Sequence, residues 1–203
     1  MADKILMNKN FLAALKTELV EYRDALPVFE MKEQQLKGLV QSIEDGILAL
    51  EEDIKNTNEE IKTWAAVMAE EGIDLHALVK VDKVITEKEE IVGVTVESYI
   101  DIHFAKTELN FLSTPLWVDA AVEVVIDQKT RTTMLVIEQQ KLALLQEELA
   151  EARRMKNALK EVFIPETIST IRKIEIYLGD VERLAIGCAK LVKKKKLEKQ
   201  GQV

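Results

Sequence analysis

Residues 12–68 decide the fold: LAALKTELVEYRDALPVFEMKEQQLKGLVQSIEDGILALEEDIKNTNEEIKTWAAVM. Stepping through Leu12, Leu15, Leu19, Tyr22, Leu26, Phe29, Glu33, Leu36, Val40, Ile43, Ile47, Leu50, Ile54, Thr57, Ile61, Trp64 and Met68, the interval alternates between three and four. Only Glu33 and Thr57 interrupt the apolar pattern. A seam of this kind, held for about eight heptads, is that of a left-handed coiled coil. At 1.5 Å per residue the helix would be roughly 85 Å long. One apolar stripe of that length cannot be buried by its own helix, so it requires a partner of similar length.

The partner lies in the same chain. Thr114-Pro115 reads as an N-cap followed by a first-turn proline. A second stripe then runs Leu135, Leu142, Leu145, Leu149, Ala152, Met155, Leu159 and Val162, and continues as Ile164, Ile168, Ile171, Ile174, Leu178, Val181, Ala185, Cys188 and Val192. Its spacing is less regular, with successive three-residue steps near Leu149 and Ile171, which would change the supercoil locally. The reading predicts one helix over about 115–196, roughly 120 Å if straight. Cys188, on its apolar face, is expected in the core.

Between the helices the chain changes character. Gly72 is suited to closing the first helix. Val79, Val81, Val84, Ile85, Ile91, Val92, Val94, Val96, Ile100 and Ile102 are β-branched, and residues 99–104 nearly alternate apolar with polar. A small β-hairpin is expected, with Thr86-Glu87-Lys88-Glu89-Glu90 as its polar turn. Two strands alone are marginal, so the hairpin should lean on the coil or on another subunit. The expected fold is therefore all-α dominated: a long antiparallel two-helix coiled coil with a small β-hairpin-containing head at the end opposite the termini. The expected segments are 8–71, 72–113, 114–196 and a tail, 197–203.

Composition agrees. Among 203 residues there are 7 glycines and 3 prolines, too few for the turns of a sandwich or barrel. With 47% hydrophobic residues, composition argues against disorder. The net charge of -8 argues against nucleic acid or an anionic membrane as the main partner. Lys193-Lys194-Lys195-Lys196 is an exception, read either as a solvated helix end or as a contact for an acidic partner. A single cysteine forms no internal disulfide, which suits a cytoplasmic protein. No window reads as a signal peptide or membrane span.

Motifs for chemistry are missing from the sequence. The glycines are isolated and begin no phosphate-binding loop. His76 and His103 have no carboxylate or cysteine at ligand spacing. The acidic pairs Asp119/Glu123 and Glu147/Glu148 read as solvated helix faces. The expectation is no catalytic residue, no metal and no cofactor, with a mechanical or connective function. On periodicity alone, a generic cytoplasmic coiled-coil tether or adaptor fits as well as anything more specific.

Particular residues narrow this. The string Arg153-Arg154-Met155-Lys156-Asn157-Ala158-Leu159 is followed by Ile164-Pro165, by Ile168, Ile171 and Ile174, and by Leu178, Glu182-Arg183, Lys190 and Lys193. It resembles the C-terminal signature of the D subunit, the central rotor shaft of V-type and A/V-type ATPases. Leu26-Pro27, Lys32, Gln35-Leu36, Ile91-Val92-Gly93-Val94 and Thr114-Pro115-Leu116-Trp117-Val118-Asp119 are similar to its bacterial branch. The arginine pair departs from the pattern. It sits one residue early relative to Ile164-Pro165, and Lys160 replaces the usual Glu.

The resemblance implies a non-catalytic stalk subunit whose termini enter the hexamer of catalytic A and nucleotide-binding B subunits. A small F subunit would bind alongside the coil, and a funnel subunit on the membrane ring would receive the other end. Rotation would couple ATP hydrolysis or synthesis to H+ or Na+ movement, in a cytoplasmic position peripheral to the membrane and without insertion into it. It makes Arg153, Arg154, Asn157, Glu182, Arg183, Lys190 and Lys193 candidate hexamer contacts. Ile91, Val92, Gly93 and Val94 become the candidate stalk-end contact. Pro27 and Pro165 are candidate kinks, which fall at one level of the coil if Trp64 faces Gln128.

Overall fold

The computed structural model describes residues 6–68, 79–105, 117–199 and Gly201. In chain order they form helix α1 (Lys9–Met68), strands β1 (Val81–Ile91) and β2 (Val94–Phe104), helix α2 (Trp117–Ala158), a π turn (Leu159–Phe163) and helix α3 (Ile164–Lys199). Gly72, His76 and Thr114-Pro115 lie outside the described residues. The chain divides into two compact units, one of residues 1–31 with 152–203 and one of residues 32–151.

In the first unit α1 starts at a side-chain cap. The Asn8 Oδ1 accepts the Phe11 N–H at 2.7 Å, and the Leu12 N–H reaches the Asn8 carbonyl at 3.1 Å. One orphan amide of the first turn is thereby satisfied. Leu15 then packs with Ile171 and Ile174, and Phe11, Leu12, Leu19 and Leu178 close around them. Ion pairs Lys9–Glu182 at 3.0 Å and Lys16–Glu175 at 2.6 Å fix the antiparallel direction. Both are exposed, and such pairs contribute about 1 kcal/mol or less. The seam contributes more, since a fully buried Ile such as Ile174 is worth about 1.5–3 kcal/mol.

Two expectations change here. The second helix is not one regular α-helix: it passes through the π turn just before Pro165. Its stripe also does not continue inward to Val192. Met155, Val162 and Ile168 are exposed, and so is every residue from Asp180 to Lys199. Because α1 begins at Lys9, opposite Glu182, α3 runs on past the last described turn of its partner. Cys188 is therefore exposed rather than in the core.

In the second unit α1 contributes buried Leu36, Val40 and Ile47, and α2 contributes Val118, Ala121, Ile137, Leu145 and Leu149. Every predicted α1 seam position from Leu12 to Ile61 is buried or half-buried. Polar bridges tie the helices along their length: Lys32 to Glu148, Gln146 to Glu44 at 3.0 Å, Arg131 to Asp53 at 3.9 Å and Gln128 to Asn58 at 3.0 Å. Gln128 thus faces Asn58, about two helical turns short of the Trp64 that the sequence suggests.

The hairpin pairs antiparallel from Val81↔Phe104 to Ile91↔Val94. Its turn is Val92-Gly93, with φ of 53° and 81°, not the polar run 86–90, which lies inside β1. Positive φ at both central residues is the type I′ pattern, whose twist matches the strands. Two bulges interrupt the ladder and leave Asp82 and Ile100 without cross-strand partners. The hairpin leans on the coil as expected. Lys129 Nζ donates to the Val79 carbonyl, Lys141 Nζ lies 3.4 Å from Ser98 Oγ, and Val96 and Ile102 are buried.

Candidate functional site

The candidate contacts fall into separate patches rather than one site. Arg153, Arg154 and Asn157 are exposed on the last turns of α2, just before the π turn. Glu182, Arg183, Lys190 and Lys193 are exposed on α3. At 1.5 Å per residue, Asn157 and Arg183 are roughly 40 Å apart along the helix. Within the chain, Glu182 accepts from Lys9 at 3.0 Å, and Arg183 Nη1 pairs with Asp180 at 2.9 Å, one turn away.

On the far part of α3, helical spacing sorts the side chains into two stripes. Arg183, Ile186, Lys190 and Lys193 share one face, because three- and four-residue steps return to it. Leu184, Gly187, Cys188 and Leu191 line a shallow groove beside Asp180 and Arg183. Leu184 is 69% exposed and Leu191 62%. Exposed apolar side chains also stand elsewhere on the coil, among them Val20, Met31 and Leu48. The lysine run 193–196 follows at the negative end of the helix dipole, where cations are favoured.

The third patch is the hairpin turn. Ile91, Val92 and Val94 are half-buried around exposed Gly93. A β-branched residue in the left-handed region is unusual, since its Cβ crowds the backbone there. Val92 therefore holds its place at a conformational cost that Asn or Gly would not incur.

An aromatic pair adds a contact that residue spacing does not reveal. Tyr22 stacks on Phe163 with centroids 5.6 Å apart, and its hydroxyl donates to Glu18 Oε1 at 2.5 Å. That bond, more than burial, raises the Tyr22 hydroxyl above its ordinary pKa, because ionisation would remove the donor and set a second negative charge beside the carboxylate. Burial first, and Asp101 second, raise Tyr99. Among the described residues no group of three or more His, Cys, Asp or Glu side chains is placed to hold a metal ion, and no helix is long and apolar enough to cross a membrane.

The chain matches the family described as the D subunit of ATP synthase over residues 11–194. It is 28% identical to the V-type ATP synthase D subunit of Borreliella burgdorferi, with 97% of each chain covered. It is 29% identical to the protein of that name in Chlamydia trachomatis, covering 96% of this chain and 97% of the relative. To that of Chlamydia pneumoniae it is 24% identical, with 96% and 94% covered. The matched stretch begins at Phe11, next to the Asn8 cap, takes in both helices and the hairpin, and ends in the lysine run. The chain therefore belongs to the ATP synthase D-subunit family, the stalk subunits of V-type ATP synthases.

Proposed function

We propose that this chain is the non-catalytic central rotor of a rotary V-type ATPase. It transmits torque between ATP hydrolysis or synthesis in a hexamer of A and B subunits and the movement of H+ or Na+ through a membrane ring. The observation that carries this reading is the family match along the whole coil, residues 11–194. The physical design supports it. Each unit pairs two helices along an apolar seam, and a lone helix could not resist twisting in the same way.

In this reading the uncovered end of α3 enters the hexamer, with Arg183, Lys190 and Lys193 on one face meeting acidic loops. Arg153, Arg154 and Asn157 form a second contact level. The small F subunit binds alongside the coil, and the turn Ile91-Val92-Gly93-Val94 belongs to the part that meets the funnel subunit. The chain works at the cytoplasmic side, peripheral to the membrane-embedded complex.

Co-expression with A, B and F subunits tests the reading. The expected result is one complex in which a bead fixed to this chain rotates when ATP is added. A complex lacking this chain that still couples ATP hydrolysis fully to ion pumping would overturn it. Recovery of the chain with unrelated partners and without A or B would favour the tether.

A further inference from the structure

Seam phase and backbone bonding disagree by one residue across the π turn. From Leu145 the inward positions are Leu145, Leu149 and Ala152, half-buried Lys156, and Leu159 at the start of the π turn, in steps of four, three, four and three. The same alternation carried forward reaches Phe163, Glu166, Thr170, Lys173 and Tyr177. Phe163 is exposed and stacks on Tyr22 at the rim of the seam, and half-buried Ile164, one residue later, stands in its place. Below it the inward positions are Thr167, Ile171, Ile174 and Leu178, each one residue late, while Glu166, Lys173 and Tyr177 are exposed. In a regular α-helix one residue of delay turns a side chain by about 100°, away from the partner. The seam nevertheless stays closed, with Ile171 and Ile174 packed on Leu15.

The π turn accounts for the extra residue. The Ile164 N–H bonds to the Leu159 carbonyl, five residues back rather than four. A turn closed in this way holds one residue more than an α turn. Pro165 follows at once. It has no N–H, and in an unbroken α-helix its ring would press on the carbonyl of residue 161. The wide turn thus lies between the Tyr22–Phe163 stack on one side and the Leu15 cluster on the other, with a proline that removes one helical bond, as Pro27 does within the unbroken α1.

We propose that the π turn is a torsional joint: it keeps one residue surplus to the seam, and the helix yields there under twist. Interconversion of π and α bonding moves α3 by a single residue of register while the rest of the helix stays hydrogen-bonded. This use of the joint rests on the rotor reading above. The surplus residue and the local yielding do not, and both can be read in the isolated full-length chain.

The test is deletion of the exposed Glu161. In a Cys188→Ser background, Leu15→Cys and Ile174→Cys report the seam by disulfide formation. Deleting Glu161 should leave helicity and cross-linking within about twofold of the parent, and should slow amide exchange across the rest of 159–164 by roughly tenfold or more, because the wide turn closes into α-helix. Deleting Lys160 and Glu161 together removes one residue too many and should abolish the cross-link. If the single deletion loses the cross-link as the double does, there is no surplus residue. If it keeps the cross-link but exchange is unchanged, there is no yielding joint. In an assembled rotary complex the single deletion should narrow the angular fluctuation of a bead on the shaft. A wild-type chain that never assembles would count against the rotor reading and leave the isolated-chain result standing.

Discussion

Tyr22 of α1 and Phe163 of the π turn stack with their planes inclined by 27°. Tyr22 occupies a seam position and Phe163 lies at its rim, so the wide turn is flanked by an aromatic pair. Aromatic pairs add about 0.5–1.5 kcal/mol beyond area burial. A double-mutant cycle of Tyr22→Ala and Phe163→Ala should therefore give a coupling of about 0.5–1 kcal/mol, at the low end because Phe163 is 40% exposed. Urea melts of the four proteins measure it. A coupling near zero would mean that the rings touch without stabilising the turn.

The Tyr22 hydroxyl gives the pair a pH signature. Its pKa is raised in the folded chain, chiefly by donation to Glu18. A raised folded pKa means that the native state keeps its proton longer than the unfolded one. The stabilisation is then complete below the unfolded tyrosine value of about 10, and is lost as pH rises through the folded pKa. Tyr99 is raised as well and acts with the same sign. Tyr22→Phe keeps the ring and removes one of the two, so the variant should lose less stability between neutral pH and the tyrosine range than the parent. Denaturant midpoints across that range decide it.

Burial separates two leucines of α1 that composition cannot tell apart. Leu36 is 0% exposed and Leu48 is 63% exposed. Leu36→Ala should cost about 2–5 kcal/mol, as a buried leucine leaving a cavity does. Leu48→Ala should stay within about 0.5 kcal/mol of the parent. Equal effects in thermal melts would mean that the seam is misplaced.

These contrasts show what the sequence makes legible. The α1 seam from Leu12 to Ile61 follows from periodicity, because a heptad stripe has one way to be buried. Periodicity cannot say where the partner helix stops. The Val181–Val192 stretch keeps an inward-looking rhythm, yet burial needs an opposing helix, and α1 starts only at Lys9. The hairpin is legible from its β-branched residues. Its turn is not, because the polar run 86–90 outweighs a single glycine preceded by Val92, a β-branched residue that rarely takes positive φ. Irregular steps in the second stripe signal a phase change, but residue spacing does not distinguish a locally altered supercoil from a π turn. Of the candidate contacts, the resemblance supplies the residue types. The fold adds that Glu182 is tied to Lys9 and Arg183 to Asp180, and neither bond is visible in spacing alone.

Cys188 makes the end of α3 easy to probe. It is the one cysteine of the chain, it is exposed, and it lies in the shallow groove with Leu184 and Leu191. The folded chain should react with a thiol reagent at about the rate of the unfolded chain, within a few-fold, since nothing described covers the sulfur. Assembly with A and B subunits should slow labelling strongly if this end enters the hexamer. Slow labelling of the isolated chain would return Cys188 to a core position.

The hairpin turn offers a separation of stability from function. Val92 and Gly93 both have positive φ, and only Gly93 is suited to it. Type I′ turns favour Asn-Gly, and a β-branched residue in the left-handed region costs about 1–2 kcal/mol. Val92→Asn should therefore strengthen the turn, slowing exchange of the amides of Ile91 and Val94, the pair that closes it, by roughly five- to tenfold. Gly93→Ala should act the other way, by about 1 kcal/mol. An added Cβ at Gly93 would meet no atom within 4 Å, so that loss is a backbone effect rather than a clash. If the turn Ile91–Val94 meets the funnel subunit, Val92→Asn should give a firmer hairpin and a weaker coupling to the membrane ring, because the apolar side chain is lost at the point of contact. A firmer hairpin with ion pumping unchanged would remove Val92 from that interface. A softer hairpin would mean that Val92 packs on the coil by more than its backbone costs.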